Sequence, residues 1–210
     1  MQNNIILGSS SPYRKALLER LQLTFECLSP DIDEQVHPEE TPQQLVARLS
    51  IEKAKAVAKQ LTQQKASKDD ACHIIIASDQ VAVLDDAILG KPHTSHRAIQ
   101  QLKEFSGRKV SFLTGLCVYN TASNTYEYSL SQYDVYFRSL SDMEIKHYIE
   151  IEQPLDCAGS FKCEGLGVTL FEKMAGKDPN SLIGLPLIEL CRLLRNQGIN
   201  PLEKSDIQIA

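Results

Sequence analysis

What the chain lacks narrows the field before any motif is read. Its 22 Lys and Arg face 27 Asp and Glu, a net charge of −5 over 210 residues. That is not the basic field that holds nucleic acid. No apolar run approaches the roughly 20 residues of a membrane helix. The opening Met1-Gln2-Asn3-Asn4 lacks the basic start and apolar stretch of a signal peptide. None of the six cysteines (Cys27, Cys72, Cys117, Cys157, Cys163, Cys191) forms a C-x-x-C pair or stands at ligand spacing from a histidine. A zinc signature is therefore missing. With no export signal, the expectation is reduced, mostly buried thiols in a cytoplasmic protein rather than a disulfide framework. Repeats, linkers and low-complexity segments are missing too, so residues 1–210 read as a single domain of one or two lobes.

What is present alternates strand and helix signals. Ile5-Ile6-Leu7-Gly8 reads as a strand. Ser11 then fits an N-cap and Pro12 the first position of a helix over about 12–22. Thr24–Ser29 reads as a second strand, and Pro30–Thr41 as an acidic loop. A long helix starts at Pro42, with Leu45, Val46, Leu49, Ala54, Val57 and Leu61 on one stripe. Gln63–Ala71 reads as a polar loop. His73–Ala77 is nearly all apolar, the mark of a strand buried on both faces, and is predicted to end at Ser78-Asp79-Gln80.

Val81–Leu89, broken by Asp85-Asp86, predicts a hairpin, and Ser95–Phe105 a helix stopped by Ser106-Gly107. Two long strands, Lys109–Asn120 and Thr125–Phe137, turn at Ala122-Ser123-Asn124. Ser141-Asp142-Met143-Glu144 is a capping box. Glycines punctuate Cys157–Lys177, a last helix runs over Pro186–Asn196 to Gly198, and the tail after about Pro201 is polar. The class is α/β with a mixed central sheet and flanking helices, since the long hairpin is incompatible with a purely parallel one.

Several of these residues can carry chemistry. The amides at the helix start after Ser9-Ser10-Ser11-Pro12, with Arg14 and Lys15 in its first turn, suit a phosphate. The same residues also suit a plain capped surface helix. Asp79 at a predicted strand end is a general base, a metal ligand or a turn cap. Glu34 supplies a second carboxylate or belongs to a solvated acidic loop. Lys53 and Lys55 cannot share a helix face, so one points away from solvent or towards a cleft. Lys91 sits in a rigid Gly90-Lys91-Pro92 turn. As a set, the cations suit a polyphosphate, and the carboxylates suit a divalent metal and the orientation of an attacking water.

The order of Ser9-Ser10-Ser11-Pro12-Tyr13-Arg14, Asp33-Glu34, Glu52-Lys53-Ala54, Ser78-Asp79-Gln80-Val81, Gly90-Lys91-Pro92, Ser106-Gly107 and Thr114-Gly115 resembles the Maf proteins, over roughly Ile5 to Pro201. That family comprises nucleoside triphosphate pyrophosphatases, which release diphosphate and a nucleoside monophosphate. The resemblance implies an elongated two-lobed fold about a central cleft, akin to the inosine-triphosphatase architecture. It further implies a divalent metal (Mg or Mn), a cytoplasmic location and a homodimer. It makes Asp79 the proton acceptor, Glu34 and Asp79 the metal-side carboxylates, and Ser9, Arg14, Lys53 and Lys91 the phosphate contacts.

Tyr13, Gln80 and Glu164 stand where substrate branches differ, and they resemble the 7-methyl-GTP branch. The dTTP/UTP branch carries Asp-Thr in place of Asp79-Gln80, Gln in the late glycine-rich segment, and a His where Val110 stands. The chemistry agrees: a tyrosine face can hold the delocalised positive charge of N7-methylguanine, and a glutamate can accept guanine N1–H and N2–H together. The alternatives are a pyrimidine triphosphate pyrophosphatase or a nucleotide-binding regulator of septum formation.

Overall fold

A computed structural model describes residues 4–64 and 72–203; positions 65–71 of the expected polar loop and 204–210 of the expected tail lie outside the described residues. A seven-stranded mixed sheet runs in the order β2 (Phe25–Cys27), β1 (Asn4–Leu7), β3 (His73–Leu84), β5 (Lys109–Asn120), β6 (Thr125–Phe137) and β7 (Phe171–Gly176), with the short β4 (Ala87–Leu89) also on β3. β1 is parallel to β2 and β3, and every other pairing is antiparallel. The helices are α1 (Pro12–Glu19), α2 (Pro42–Gln64), α3 (Ser95–Phe105), α4 (Asp142–Glu152), α5 (Asn180–Ile183) and α6 (Leu187–Asn196). No described helix is long and apolar enough to cross a membrane.

Alternation along the central strands decides what each face packs against. Ile5, Leu7, Ile74 and Ile76 join Leu17 and Leu18 of α1 and Leu190, Leu193 and Leu194 of α6 in one core cluster. Ile6, Ile75 and Ala77 join Ala54 and Val57 of α2 in another. This two-sided cover explains the apolar run at Ile74–Ala77. A third cluster gathers α3, α4 and the far ends of β5 and β6 around Phe105, Phe112, Phe137 and Phe161. In it Phe161 meets Phe112 and Phe171 edge-on, with ring centroids 5.2 and 4.9 Å apart.

Three expectations need correction. β3 does not end at Ser78-Asp79-Gln80; it continues to Leu84, because β5 pairs with it from Ile74 through Val83. Asp79 is therefore a mid-strand residue. The polar triplet that looks like a terminus is tolerated because Ser78 and Gln80 bond to backbone of the α5 region. The glycine-punctuated segment contains a 3₁₀ helix (Leu166–Leu170) and β7, which its lack of periodicity concealed. Among the cysteines only Cys117 is fully buried; Cys27 is exposed and the rest are half-buried, all as free thiols.

The capping box at Ser141 and Glu144 is formed as read, and Gly107 (φ +71°) follows α3 where the sequence stops it.

Candidate active site

With β5 filling one edge of β3, β1 and β4 must share the other. β1 stops at Leu7, opposite Ile76, and β4 pairs only Ala82–Leu84. Among the described residues, no strand lies beside this edge of β3 from Ala77 to Val81. The chain leaves β1 through Gly8, whose N–H reaches Ile76 O at 2.8 Å, and turns into α1. A cleft of about 660 Å³ opens at this break. Of the residues singled out from the sequence, Ser9, Tyr13, Arg14, Glu34, Lys53, Asp79, Gln80, Lys91 and Glu164 line it; Lys15, exposed and 3.8 Å from Glu19 Oε1, does not.

Asp79 shares the strand face of Ile75 and Ala77, the face covered by α2. On α2 the buried stripe Val46, Leu49, Ser50, Lys53, Val57 carries Lys53 to the same place. Lys53 Nζ lies 2.7 Å from Asp79 Oδ1 and 2.8 Å from Glu34 Oε1, and both Lys53 and Asp79 are buried. Lys55 takes the other direction, its Nζ 5.4 Å from the centroid of the Tyr126 ring.

This meeting depends on close contact between α2 and the sheet. Gly115 pairs with Asp79 across the ladder, and a Cβ there would stand 2.5 Å from Ser50 Oγ and 2.6 Å from Val46 O. Only glycine lets the helix lie that near.

The acidic loop is anchored rather than simply solvated. Arg48 Nε and Nη2 grip both carboxylate oxygens of Glu40 at 2.7 and 2.8 Å, and Nη2 also donates to Gln35 O at 2.9 Å. The Arg48 bonds hold the Glu40 carboxyl down to about 2. Glu34 is carried on this clamped loop.

On the opposite strand face, Ser78 Oγ donates to Gly184 O at 3.0 Å, and Arg14 Nε donates to the same oxygen at 2.9 Å. Burial pulls the Arg14 guanidinium below its ordinary value, with the nearby charges of Asp79 and Glu34 opposing that shift. Ser9 is buried; its Oγ accepts Ser11 N–H at 3.1 Å, which leaves the hydroxyl hydrogen to donate. Ser11 caps α1 through Arg14 N–H, with Pro12 at the first position as expected. Gln80 borders the cleft, but its amide donates to Thr114 Oγ1 (2.9 Å) and Ser181 O (2.7 Å), so it braces the α5 wall. Lys91 is exposed at the rim on its Gly90–Pro92 turn.

The remaining wall is the segment from Leu155 to Glu164. Tyr13 O–H donates to Asp156 Oδ2 at 3.4 Å, and Cys157 S–H points to Tyr13 Oη at 3.8 Å. Burial raises the Tyr13 phenol above its ordinary value, with Cys157, Asp156 and Glu164 adding to the shift. Burial also pushes the Cys157 and Cys163 thiols up to about 11 and 12, so both are protonated near neutral pH.

Sequence reasoning missed Gly184, Asp156 and Arg48. Gly184 has φ +124°, a conformation suited to glycine, and its position inside Leu182-Ile183-Gly184-Leu185 was the available signal. Asp156 and the Arg48–Glu40 clamp act through the folded chain and left no local pattern.

Among the described residues no cluster of three or more His, Cys, Asp or Glu could hold a metal by itself. Glu34 and Asp79, already converging on one ammonium, suit a Mg²⁺-type ion, which takes one or two carboxylates and completes its shell with water and substrate phosphate. Among solved structures the chain is similar to the Staphylococcus aureus Ham1 protein, at 13% identity and a TM-score of 0.41, over 65% of this chain and 72% of that one. Across residues 4–197 it matches the family model described as Maf-like protein, and with nearly its whole length so covered the chain belongs to that family.

Proposed function

We propose that this protein hydrolyses 7-methyl-GTP to 7-methyl-GMP and diphosphate, removing a modified nucleotide. Family membership supports the coarser statement, a nucleotide pyrophosphatase. The observation that carries the finer one is the division of charge within a single cleft. Arg14 and Lys53 lie near Asp79 and Glu34, whereas Tyr13 lies among Asp156, Cys157 and Glu164. A polyphosphate suits the first group. A flat cation beside an aromatic ring and two carboxylates suits the second.

In this reading Arg14, Lys53, Lys91, the Ser9 hydroxyl and the amides opening α1 bind the triphosphate. Asp79 orients a water for attack on the α-phosphorus and accepts its proton. The new O–P bond forms as the α–β bridging bond breaks, and diphosphate leaves. Lys53, 2.7 Å from Asp79 Oδ1, keeps that carboxylate aimed, and Glu34 on its clamped loop completes the pair. A divalent cation held by Glu34 and Asp79 would neutralise charge on the phosphate oxygens. Gln80 acts through the α5 wall it braces, and Tyr13 and Glu164 face the base.

The test is a panel of triphosphates with purified protein and Mg²⁺ or Mn²⁺, read as diphosphate released. Turnover of 7-methyl-GTP well above GTP, dTTP and UTP is expected. Preference for dTTP or UTP would replace this reading with the pyrimidine one, and binding without turnover would favour a regulator.

A further inference from the structure

Gln101 of α3 does not line the cleft, yet it touches both segments of one wall. Its Nε2 donates to Gly90 O at 3.1 Å, immediately before Lys91, and its Oε1 accepts from Ser160 Oγ, in the segment that carries Glu164. A carboxamide offers a donor and an acceptor on one planar group, which neither a carboxylate nor an alkyl chain does. A backbone bond from His93 N–H to Leu155 O at 3.0 Å ties the same segments a second time.

Both segments need such fixing. His93 (φ +57°) and Ser160 (φ +58°) are non-glycine residues in the left-handed region, which persists where surrounding contacts determine it. Ser160 is fully buried, and a Cβ on its neighbour Gly159 would stand 2.7 Å from Phe112 Cζ.

We propose that Gln101 is a positioning residue that joins the Lys91 turn to the 155–164 segment, so that gripping the phosphates and reading the base are set by one shared geometry. This rests on the proposed function only in taking Lys91 as a phosphate contact and Glu164 as a base contact.

The experiment compares Gln101→Leu, Gln101→Glu and Ser160→Ala in the full chain, by amide hydrogen exchange and by steady-state kinetics on the best triphosphate of the panel. Gln101→Leu, which loses both hydrogen bonds, is expected to speed exchange in both 89–93 and 155–164 and to raise KM roughly tenfold. Its kcat stays within about twofold, and its melting temperature falls by only a few degrees, the cost of the buried Ser160 hydroxyl left unpaired. Gln101→Glu keeps the acceptor for Ser160 and should loosen 89–93 alone; Ser160→Ala should loosen 155–164 alone. The proposal is overturned if Gln101→Leu loosens one segment only, leaves exchange at the wild-type rate, or lowers stability and kcat with KM unmoved. Should the wild type turn over no triphosphate, the functional reading fails, while the exchange pattern still decides the role of Gln101.

Discussion

The two walls of the cleft hold their side chains by different means. On the side built from α1, α2 and β3, charged groups ride on regular elements and pair with each other: Lys53 with Asp79 and Glu34, Arg14 on Gly184. On the other side, Leu155–Glu164 lies between α4 and the 3₁₀ helix, outside any regular element, and is fixed by hydrogen bonds and by Phe161 in the aromatic cluster. Under the proposed function the difference would divide the tasks: phosphate chemistry on side chains carried by regular elements, and discrimination on a loop, where side chains vary most readily.

The sharpest way to break this contrast is at Asp79. Asp79→Asn should lower diphosphate release by about 10²–10⁴-fold, the range of a lost general base, while calorimetry still finds the nucleotide bound. Near-normal turnover would remove Asp79 from the chemistry and leave the wall of regular elements as a binding surface only. Next, Gly115→Ala should force α2 off the sheet, costing about 1–3 kcal/mol in a urea melt and weakening triphosphate binding together. Lost stability with binding intact would show that the α2 contact does not set Lys53.

On the loop wall, Glu164→Gln should lower kcat/KM for 7-methyl-GTP by roughly tenfold and leave other triphosphates alone; a uniform loss across the panel would sink its role in discrimination. The smallest effect concerns the clamp under Glu34. Glu40 is held at about 2 against an ordinary 4.5. Its contribution to stability is therefore complete above about pH 4.5 and lost as pH falls towards 2. The urea midpoints of wild type and Glu40→Gln should accordingly converge on acidification. A gap that stays constant with pH would mean that the Arg48 pair contributes nothing.

Local signals carried most of the scaffold: the apolar run at His73–Ala77, the stripe on α2, the capping box at Ser141 and the long hairpin all formed where they were read. Residue chemistry alone left Asp79 and Glu34 ambiguous, because a carboxylate in a polar stretch looks the same whether it caps a turn or meets a lysine. The order of motifs, rather than any one of them, brought them together. What stayed hidden depends on partners distant in sequence. β3 runs through Asp79 because β5 lies beside it, and Gln101 matters because of Gly90 and Ser160. β7 was concealed by glycines whose neighbours, such as Tyr133 against Gly176, are known only after folding.

The open interval along one edge of β3 acts as a ruler. Strand residues advance about 3.3 Å each, so the spacing between Ile76, opposite the last residue of β1, and Ala82, opposite Leu89 of β4, fixes how far the opening extends along β3. One residue added to the end of β1 would lie opposite Ala77 and shorten the open edge by that step. The length of the open edge is thus set by where β1 stops and where β4 starts to pair, before any side chain lining the cleft is considered.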